Sequence, residues 1–133
     1  MKEGRYSNAT EVEQRLQAQK DSIDKLRETI KTTEEKIKSL RESIIENNTK
    51  VKQLIEERKL LVERNAPQIE RDAISREIFE VKEEIKSTKQ QIINLDEQLK
   101  NTNTELKETQ KVYSETKQAS VEIKENVKLL ELS

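Results

Sequence analysis

The sequence predicts an all-α protein that forms a long coiled coil, and three observations support this prediction. Apolar residues recur with a seven-residue period, 40% of the 133 residues are charged while 31% are hydrophobic, and the chain has one Gly and one Pro. With 2% aromatic residues, the chain lacks the large side chains that fill a compact core, so its apolar residues have to form a narrow seam. The scarcity of Gly and Pro disfavours a sheet or a loop-rich fold.

Intrinsic disorder also has high charge and low hydropathy, but the regular apolar spacing favours helix over disorder. The 26 basic and 27 acidic residues nearly cancel, so the net charge gives no strong field toward nucleic acid or a membrane. A basic stripe with interleaved aromatic residues, which would bind single-stranded nucleic acid, is not apparent. We therefore expect protein partners rather than nucleic acid.

The first helix is predicted over residues 9–64, after a non-heptad segment at residues 1–8 in which Ser7 or Asn8 could cap the helix. Thr10 and Glu13 have the spacing of a capping box and provide an alternative start. The seam of this helix contains Val12, Leu16, Ile23, Leu26, Ile30, Ile37, Leu40, Ile44, Val51, Leu54 and Leu61. A 3.5-residue period sustained for this length keeps one stripe facing a neighbour when the helices supercoil left-handedly.

A break is predicted at residues 65–67, Asn-Ala-Pro. Pro67 has no amide hydrogen and disfavours helical angles at Ala66, so the helix should bend or end there. We expect Asn65 to cap a new helix, with Gln68 reaching back three residues later as in a capping box.

The second helix is predicted over residues 68–131, and its seam is more polar than the first. Its apolar members are Ile74, Ile78, Val81, Ile85, Ile92, Leu95, Leu99, Leu106, Tyr113, Ile123, Val127 and Leu130, and its polar members are Thr88, Thr102, Thr109, Thr116 and Ser120. A coiled coil tolerates polar layers at a cost in stability, because its stability is summed over many layers.

The two helices could form an antiparallel hairpin or a kinked parallel dimeric rod, and the seam residues favour the hairpin. In the hairpin Gln19 meets Tyr113 and Arg58 meets Ile74, and no layer holds two polar residues. In a parallel dimer each polar seam residue, such as Asn47, meets its own copy. Charge pairs within the second half favour the parallel arrangement, so the rod remains an alternative.

The candidate interaction residues are the seam and a wider apolar patch between Leu60 and Val81. Phe79 is the first residue to test, because isolated apolar surface usually marks an interaction, although the patch could instead seal the bend. Asn47, Arg58 and Pro67 are expected to set register or bend. The full set is Ile23, Leu26, Ile30, Ile37, Leu40, Ile44, Val51, Leu54, Leu61, Ile74, Ile78, Phe79, Val81, Ile85, Ile92, Leu95, Leu99 and Leu106.

We expect no catalytic, cofactor or metal site. The chain has no His and no Cys, and adjacent acids such as Glu83 and Glu84 diverge by about 100° on a helix. Their expected role is a solvated face with ion pairs to lysines. No apolar run exceeds the three residues 60–62, so neither a secretion signal nor a membrane span is expected. Cytoplasmic location is the default expectation, and the sequence does not exclude a nuclear one.

The expected function is a structural or scaffolding protein that oligomerises, spaces or tethers partners through helix packing, in a cytoskeletal or other large assembly. Its partner would be a second copy or another helical chain, in a homo-oligomer or a hetero-oligomer. The alternative is a chaperone-like or regulatory adaptor that grips a client with a helical hairpin. Such a hairpin resembles prefoldin in outline, although residues 60–80 contain no counterpart of that family's β-hairpins.

Overall fold

The computed structural model describes residues 9–132, which form two α-helices joined by a short connection. Helix α1 is Ala9–Glu63 and helix α2 is Gln68–Leu132, and no strand occurs within this range. The two helices pack against each other, so the predicted all-α hairpin is confirmed. Residues 1–8, where the non-heptad segment and two of the candidate caps were predicted, lie outside the described range. Thr10 already lies within α1, so it is not the N-cap.

The connection begins with a Schellman motif that ends α1. Asn65 has φ of 52°, the left-handed conformation common after the last helical turn. Its amide donates to the carbonyl of Val62 at 3.1 Å, and the amide of Ala66 donates to the carbonyl of Leu61 at 2.9 Å. Ala66 and Leu61 are both buried, which gives the apolar contact that often accompanies this motif. Pro67 follows, where an amide hydrogen is not needed for the motif.

The start of α2 differs from the predicted capping box. The carbonyl of Pro67 accepts the first helical hydrogen bond, from the amide of Glu70 at 3.1 Å. Gln68 does not reach back to Asn65, because its Nε2 donates to Oδ1 of Asp72 at 2.7 Å. Asn65 therefore terminates α1 rather than capping α2. Asn suits both positions, and this ambiguity explains the wrong expectation.

The chain divides into two compact units. The turn unit is residues 33–98, and the described part of the terminal unit combines residues 9–32 with residues 99–132. The core of the turn unit is a cluster of four buried residues against which three half-buried residues pack. These are Val51, Leu54, Val81 and Ile85, with Ile44, Ile74 and Ile78 around them.

The terminal unit has a smaller and more polar interior. Val12 and Thr116 are each 1% exposed, and Ile23 and Ser120 are also buried. Short side chains at three of these four positions bring little apolar area out of water. We therefore expect the terminal unit to contribute less stability per residue than the turn unit.

Candidate interaction surfaces

Most of the predicted seam residues are covered by the opposite helix or its neighbours. The buried ones are Val12, Ile23, Ile37, Val51, Leu54, Leu61, Val81, Ile85, Thr88, Thr116 and Ser120. The half-buried ones are Leu26, Ile30, Leu40, Ile44, Ile74, Ile78, Ile92, Leu95, Leu99 and Leu106, together with Asn47. Val127 and Leu130, also predicted in the seam, are instead 48% and 75% exposed near the end of α2. The seam is therefore largely used inside the hairpin, and a partner has to bind elsewhere.

Two contacts between the helices show how α1 and α2 are aligned in the turn unit. Nε of Arg58 donates to Oγ of Ser75 at 2.7 Å, one residue from the expected pairing of Arg58 with Ile74. Nζ of Lys50 lies 4.0 Å from Oε1 of Glu77. Both contacts are exposed and contribute little stability, but they identify which side chains of the two helices meet.

One layer of the terminal unit contains two polar residues, contrary to the expectation that none would. Nε2 of Gln19 donates to Oγ1 of Thr116 at 3.0 Å, and this hydroxyl donates to the carbonyl of Val112 at 2.9 Å. Thr116, not Tyr113, is therefore the partner of Gln19. The hydrogen bond satisfies the amide nitrogen of Gln19 and so lowers the cost of this polar layer. Oε1 of Gln19 is covered and accepts no hydrogen bond from the described residues.

The predicted apolar patch between Leu60 and Val81 is not one surface. Leu61 and Val81 belong to the core, as do the half-buried Ile74 and Ile78. Leu60, Ile69 and Phe79 are 56%, 78% and 63% exposed. Successive helical residues point about 100° apart, so Leu60 and Val62 lie on different sides of α1, and Ile69 belongs to the other helix. Val62 and Ile78 of the patch line a groove between the helices, and Phe79 is exposed on α2.

Two grooves lie between the helices on the same side of the turn unit. The first is lined by Ile55, Arg58, Lys59, Val62, Glu63, Ser75 and Ile78. The second is lined by Asn48, Val51, Lys82, Ile85, Lys86, Lys89, Gln90 and Ile93. The lining residues 48, 55 and 62 of α1 are seven residues apart, as are 75, 82 and 89 of α2, so both grooves open on one side.

This side of the turn unit, which we call the basic face, combines basic and exposed apolar side chains. It follows alternating steps of three and four residues along each helix, offset from the seam. The basic face consists of Lys38, Arg41, Ile45, Asn48, Lys52, Ile55, Lys59 and Val62 on α1 and Ser75, Phe79, Lys82, Lys86, Lys89 and Ile93 on α2. Its seven basic residues are accompanied by acids where the two series end, at Glu34, Asp72 and Asp96, and by Glu63, which lines the first groove.

The apolar members of the basic face retain much of their exposure. Ile45 is 65% exposed, Ile55 is 48%, Val62 is 43%, Phe79 is 63% and Ile93 is 58%. Scattered single apolar residues are normal on a surface, but these five share one side of one unit, and Ile55, Val62 and Ile93 line its grooves. The face therefore has the chemistry of a site for an apolar, acidic partner.

The opposite side of the turn unit, which we call the acidic face, contains the Lys50–Glu77 ion pair. It consists of Lys36, Ser39, Ser43, Glu46, Lys50, Gln53, Glu57 and Leu60 on α1 and Glu70, Ala73, Glu77, Glu80, Glu84, Ser87, Gln91, Asn94 and Gln98 on α2. Six glutamates thus face two lysines in this set. The two sides of the hairpin carry opposite charge although the whole chain is nearly neutral.

The terminal unit shows the same separation of charge along α2. Lysines occupy one series, at Lys100, Lys107, Lys117, Lys124 and Lys128. Glutamates occupy the other series, at Glu105, Glu108, Glu115 and Glu122. A groove on the glutamate side is lined by polar residues that include Gln19, Ser22 and Glu105. It is more polar than the two grooves of the basic face and less suited to an apolar partner.

Sequence reasoning missed the basic face, apart from Phe79. The signal was available, because Ile45, Ile55 and Val62 repeat with the seam's own steps of three and four residues. The basic charge of this face does not appear in the net charge of the chain, because the acidic face balances it. It becomes visible only when each helix is divided into sides.

No known protein family, curated protein or solved structure matches this chain. Within the described range, neither helix has an apolar stretch long enough to cross a bilayer. The same range contains no group of three or more His, Cys, Asp or Glu side chains placed to hold a metal ion. The interaction surfaces are thus the features from which a function can be argued.

Proposed function

We propose that this protein is a structural or scaffolding element that tethers or spaces partners through helix packing, in a cytoskeletal or other large assembly. The basic face is the observation that supports this proposal. The basic face exposes five apolar residues of the turn unit, three of which line its grooves, whereas the seam is already used between α1 and α2. A partner helix would bind in these grooves and leave the hairpin intact.

The contact that we propose is a coiled-coil one, both within the hairpin and with the partner. Side chains of the partner helix would insert as knobs between Ile55 and Val62 in one groove and beside Ile93 in the other. Burial of apolar surface contributes about 25 cal/mol per Å². The lysines that flank the grooves would select partners with acidic residues beside their apolar stripe.

Site-specific photo-cross-linking in the native host tests this proposal. A photoreactive phenylalanine analogue replaces Phe79, and the same analogue at Glu83, which is exposed outside the basic face, is the matched control. The expected result is a reproducible adduct from position 79 that mass spectrometry maps to an α-helical segment of the partner. A peptide of that segment should bind the purified protein, and it should bind the Phe79→Ser variant more weakly. The same adducts from both positions, or binding unaffected by Phe79→Ser, would contradict the proposal.

A second candidate function is a chaperone-like adaptor that grips a client. The observation that favours it is the C-terminal end of α2, where Leu130 and Leu132 are 75% and 78% exposed. An adaptor of this kind should slow the aggregation of an unfolded client, and Leu130→Ser with Leu132→Ser should abolish that effect. If wild-type protein leaves aggregation unchanged, this second function is excluded and the scaffold proposal is unaffected.

A further inference from the structure

The two faces of the turn unit have complementary chemistry, which identifies a partner. We infer that the basic face of one copy docks on the acidic face of a second copy, so that hairpins associate side by side. This inference rests on the proposed helix packing and adds the partner and the pair of surfaces. A partner of the basic face needs an acidic surface, and the chain itself has one on the side of the turn unit that carries Glu77, Glu80 and Glu84.

Charge excludes the symmetric alternative, in which two basic faces meet. A two-fold interface brings a surface against itself, so Lys82, Lys86 and Lys89 would approach their own copies. Like charges brought together oppose association, and Phe79 and Ile93 flank these lysines on α2. A basic face on an acidic face has the opposite sign on its two sides and is therefore the favoured contact.

The spacing of the charges on α2 also matches when two copies of α2 run antiparallel. Lys82, Lys86 and Lys89 are separated by four and then three residues, and the glutamates read backwards from position 84 are separated in the same order. A step of four residues spans about 6 Å along a helix, and a step of three residues spans about 4.5 Å. Lys82 then lies opposite Glu84, and Lys86 lies opposite Glu80, so neither charge pair needs a distorted helix.

The same alignment places large apolar side chains opposite small ones. Phe79 lies opposite Ser87, and Ile93 lies opposite Ala73. Phe79 and Ile93 are 63% and 58% exposed in the single chain, and Ser87 and Ala73 are exposed as well. A large residue facing a small one allows two helices to approach closely, as in knobs-into-holes packing. Charge and shape thus both agree with this alignment.

This contact joins two different surfaces and is therefore heterologous. The acidic face of the first copy and the basic face of the second remain open after one contact. A heterologous contact that does not close into a ring continues into an open assembly. We therefore expect the average mass to keep rising with protein concentration, and to fall when salt screens the charges.

Sedimentation equilibrium of the whole protein with paired charge reversals tests the inference. One variant carries Lys82→Glu and Lys86→Glu, and the other carries Glu80→Lys and Glu84→Lys; circular dichroism verifies that both remain helical. At about 20 mM salt the wild-type mass should exceed 15.6 kDa and rise with concentration. Each variant alone should associate at least about tenfold more weakly, and an equimolar mixture should recover the lost association, because reversed charges again meet opposite charges.

Apolar packing has its own matched pair of variants. Phe79→Ser should weaken the association of the wild-type protein by about tenfold, because Phe79 packs in the contact. Ile69→Ser should leave it unchanged, because Ile69 is 78% exposed and belongs to neither face. Equal effects of the two substitutions would overturn the inferred alignment.

The remaining outcomes separate this inference from the proposed function. A wild-type mass of 15.6 kDa at all salt and protein concentrations would overturn self-association, as would a variant mixture that does not recover. If photo-cross-linking at Phe79 then identifies a helix of another protein, the scaffold proposal stands without the inference. If the monomer binds phosphatidylserine vesicles and the Lys82→Glu, Lys86→Glu variant does not, the inferred self-association would be overturned and a membrane surface would be the partner of the basic face.

Discussion

The core of the turn unit yields a prediction in which one substitution is compared at two positions of α1. Leu54 is 7% exposed and belongs to the core cluster, whereas Leu60, six residues later in the same helix, is 56% exposed. Changing either residue to Ala removes the same atoms and slightly favours helix formation. Their difference therefore measures packing between α1 and α2 rather than the stability of the isolated helix.

The expected magnitude follows from the two exposures. Leu54→Ala should lower the free energy of unfolding by about 2 to 3 kcal/mol, the lower part of the usual range, because a two-helix seam can collapse around the lost atoms. Leu60→Ala should change it by less than about 0.5 kcal/mol, since most of its surface already contacts water. The difference between the two variants should thus be about 2 kcal/mol.

Urea unfolding followed by circular dichroism measures this difference. The experiment is done at about 0.5 M salt, where any association through the charged faces is screened, and at two protein concentrations that should give the same midpoint. Equal losses at Leu54 and Leu60, or a larger loss at Leu60, would refute the assignment of Leu54 to the core of the hairpin.

Three further predictions concern the connection and the polar layer. Asn65→Gly should raise the free energy of unfolding by about 0.5 kcal/mol and Asn65→Val should lower it by about 1 to 2 kcal/mol, because φ is positive there; thermal melts that order these variants otherwise would contradict the Schellman motif. Thr116→Val should lower the free energy of unfolding by about 1 to 2 kcal/mol, because the Gln19 amide loses its acceptor. Thr104→Val, at an exposed position, should lower it by less than about 0.5 kcal/mol, and equal urea midpoints for these two variants would argue against the polar layer. Pro67→Ala should keep helicity and mass and lose about 0.4 to 1 kcal/mol through a freer unfolded chain; a longer particle in small-angle scattering would show that Pro67 itself maintains the bend.

The two helices and the break between them were predictable because the heptad repeat and the single Pro are both local signals, whereas the choice between hairpin and rod depended on long-range pairing. Residues such as Ile37 and Val81 are each 4% exposed, as their seam positions predict. The partner of Gln19 was not predictable by counting from the bend, since a hydrogen bond to Thr116 adds a preference that apolar spacing does not contain. Sequence spacing thus identifies the seam better than it identifies individual pairs.

The candidate site was only partly predictable, for a different reason. Phe79 was recognisable as an isolated aromatic residue, but Ile45 and Ile93 are ordinary in sequence and become part of a surface only when α1 and α2 are side by side. The lysines that accompany them were hidden by the glutamates of the opposite side. A surface made from two helices requires knowledge of which sides face the same direction, and the packed hairpin supplies it.

The central claim is that α1 and α2 of one molecule pack against each other, and one distance tests it directly. The chain has no Cys, so spin labels can be attached at Lys50→Cys and Glu77→Cys, where the native Nζ and Oε1 atoms lie 4.0 Å apart. Pulsed electron resonance then measures the distance between the two labels, with and without dilution by excess unlabelled protein. The hairpin predicts a separation of about 10 to 25 Å, the helix spacing plus the reach of the two labels, that dilution does not change. A separation near 40 Å, as in one continuous helix, or a short distance that dilution removes, would contradict it.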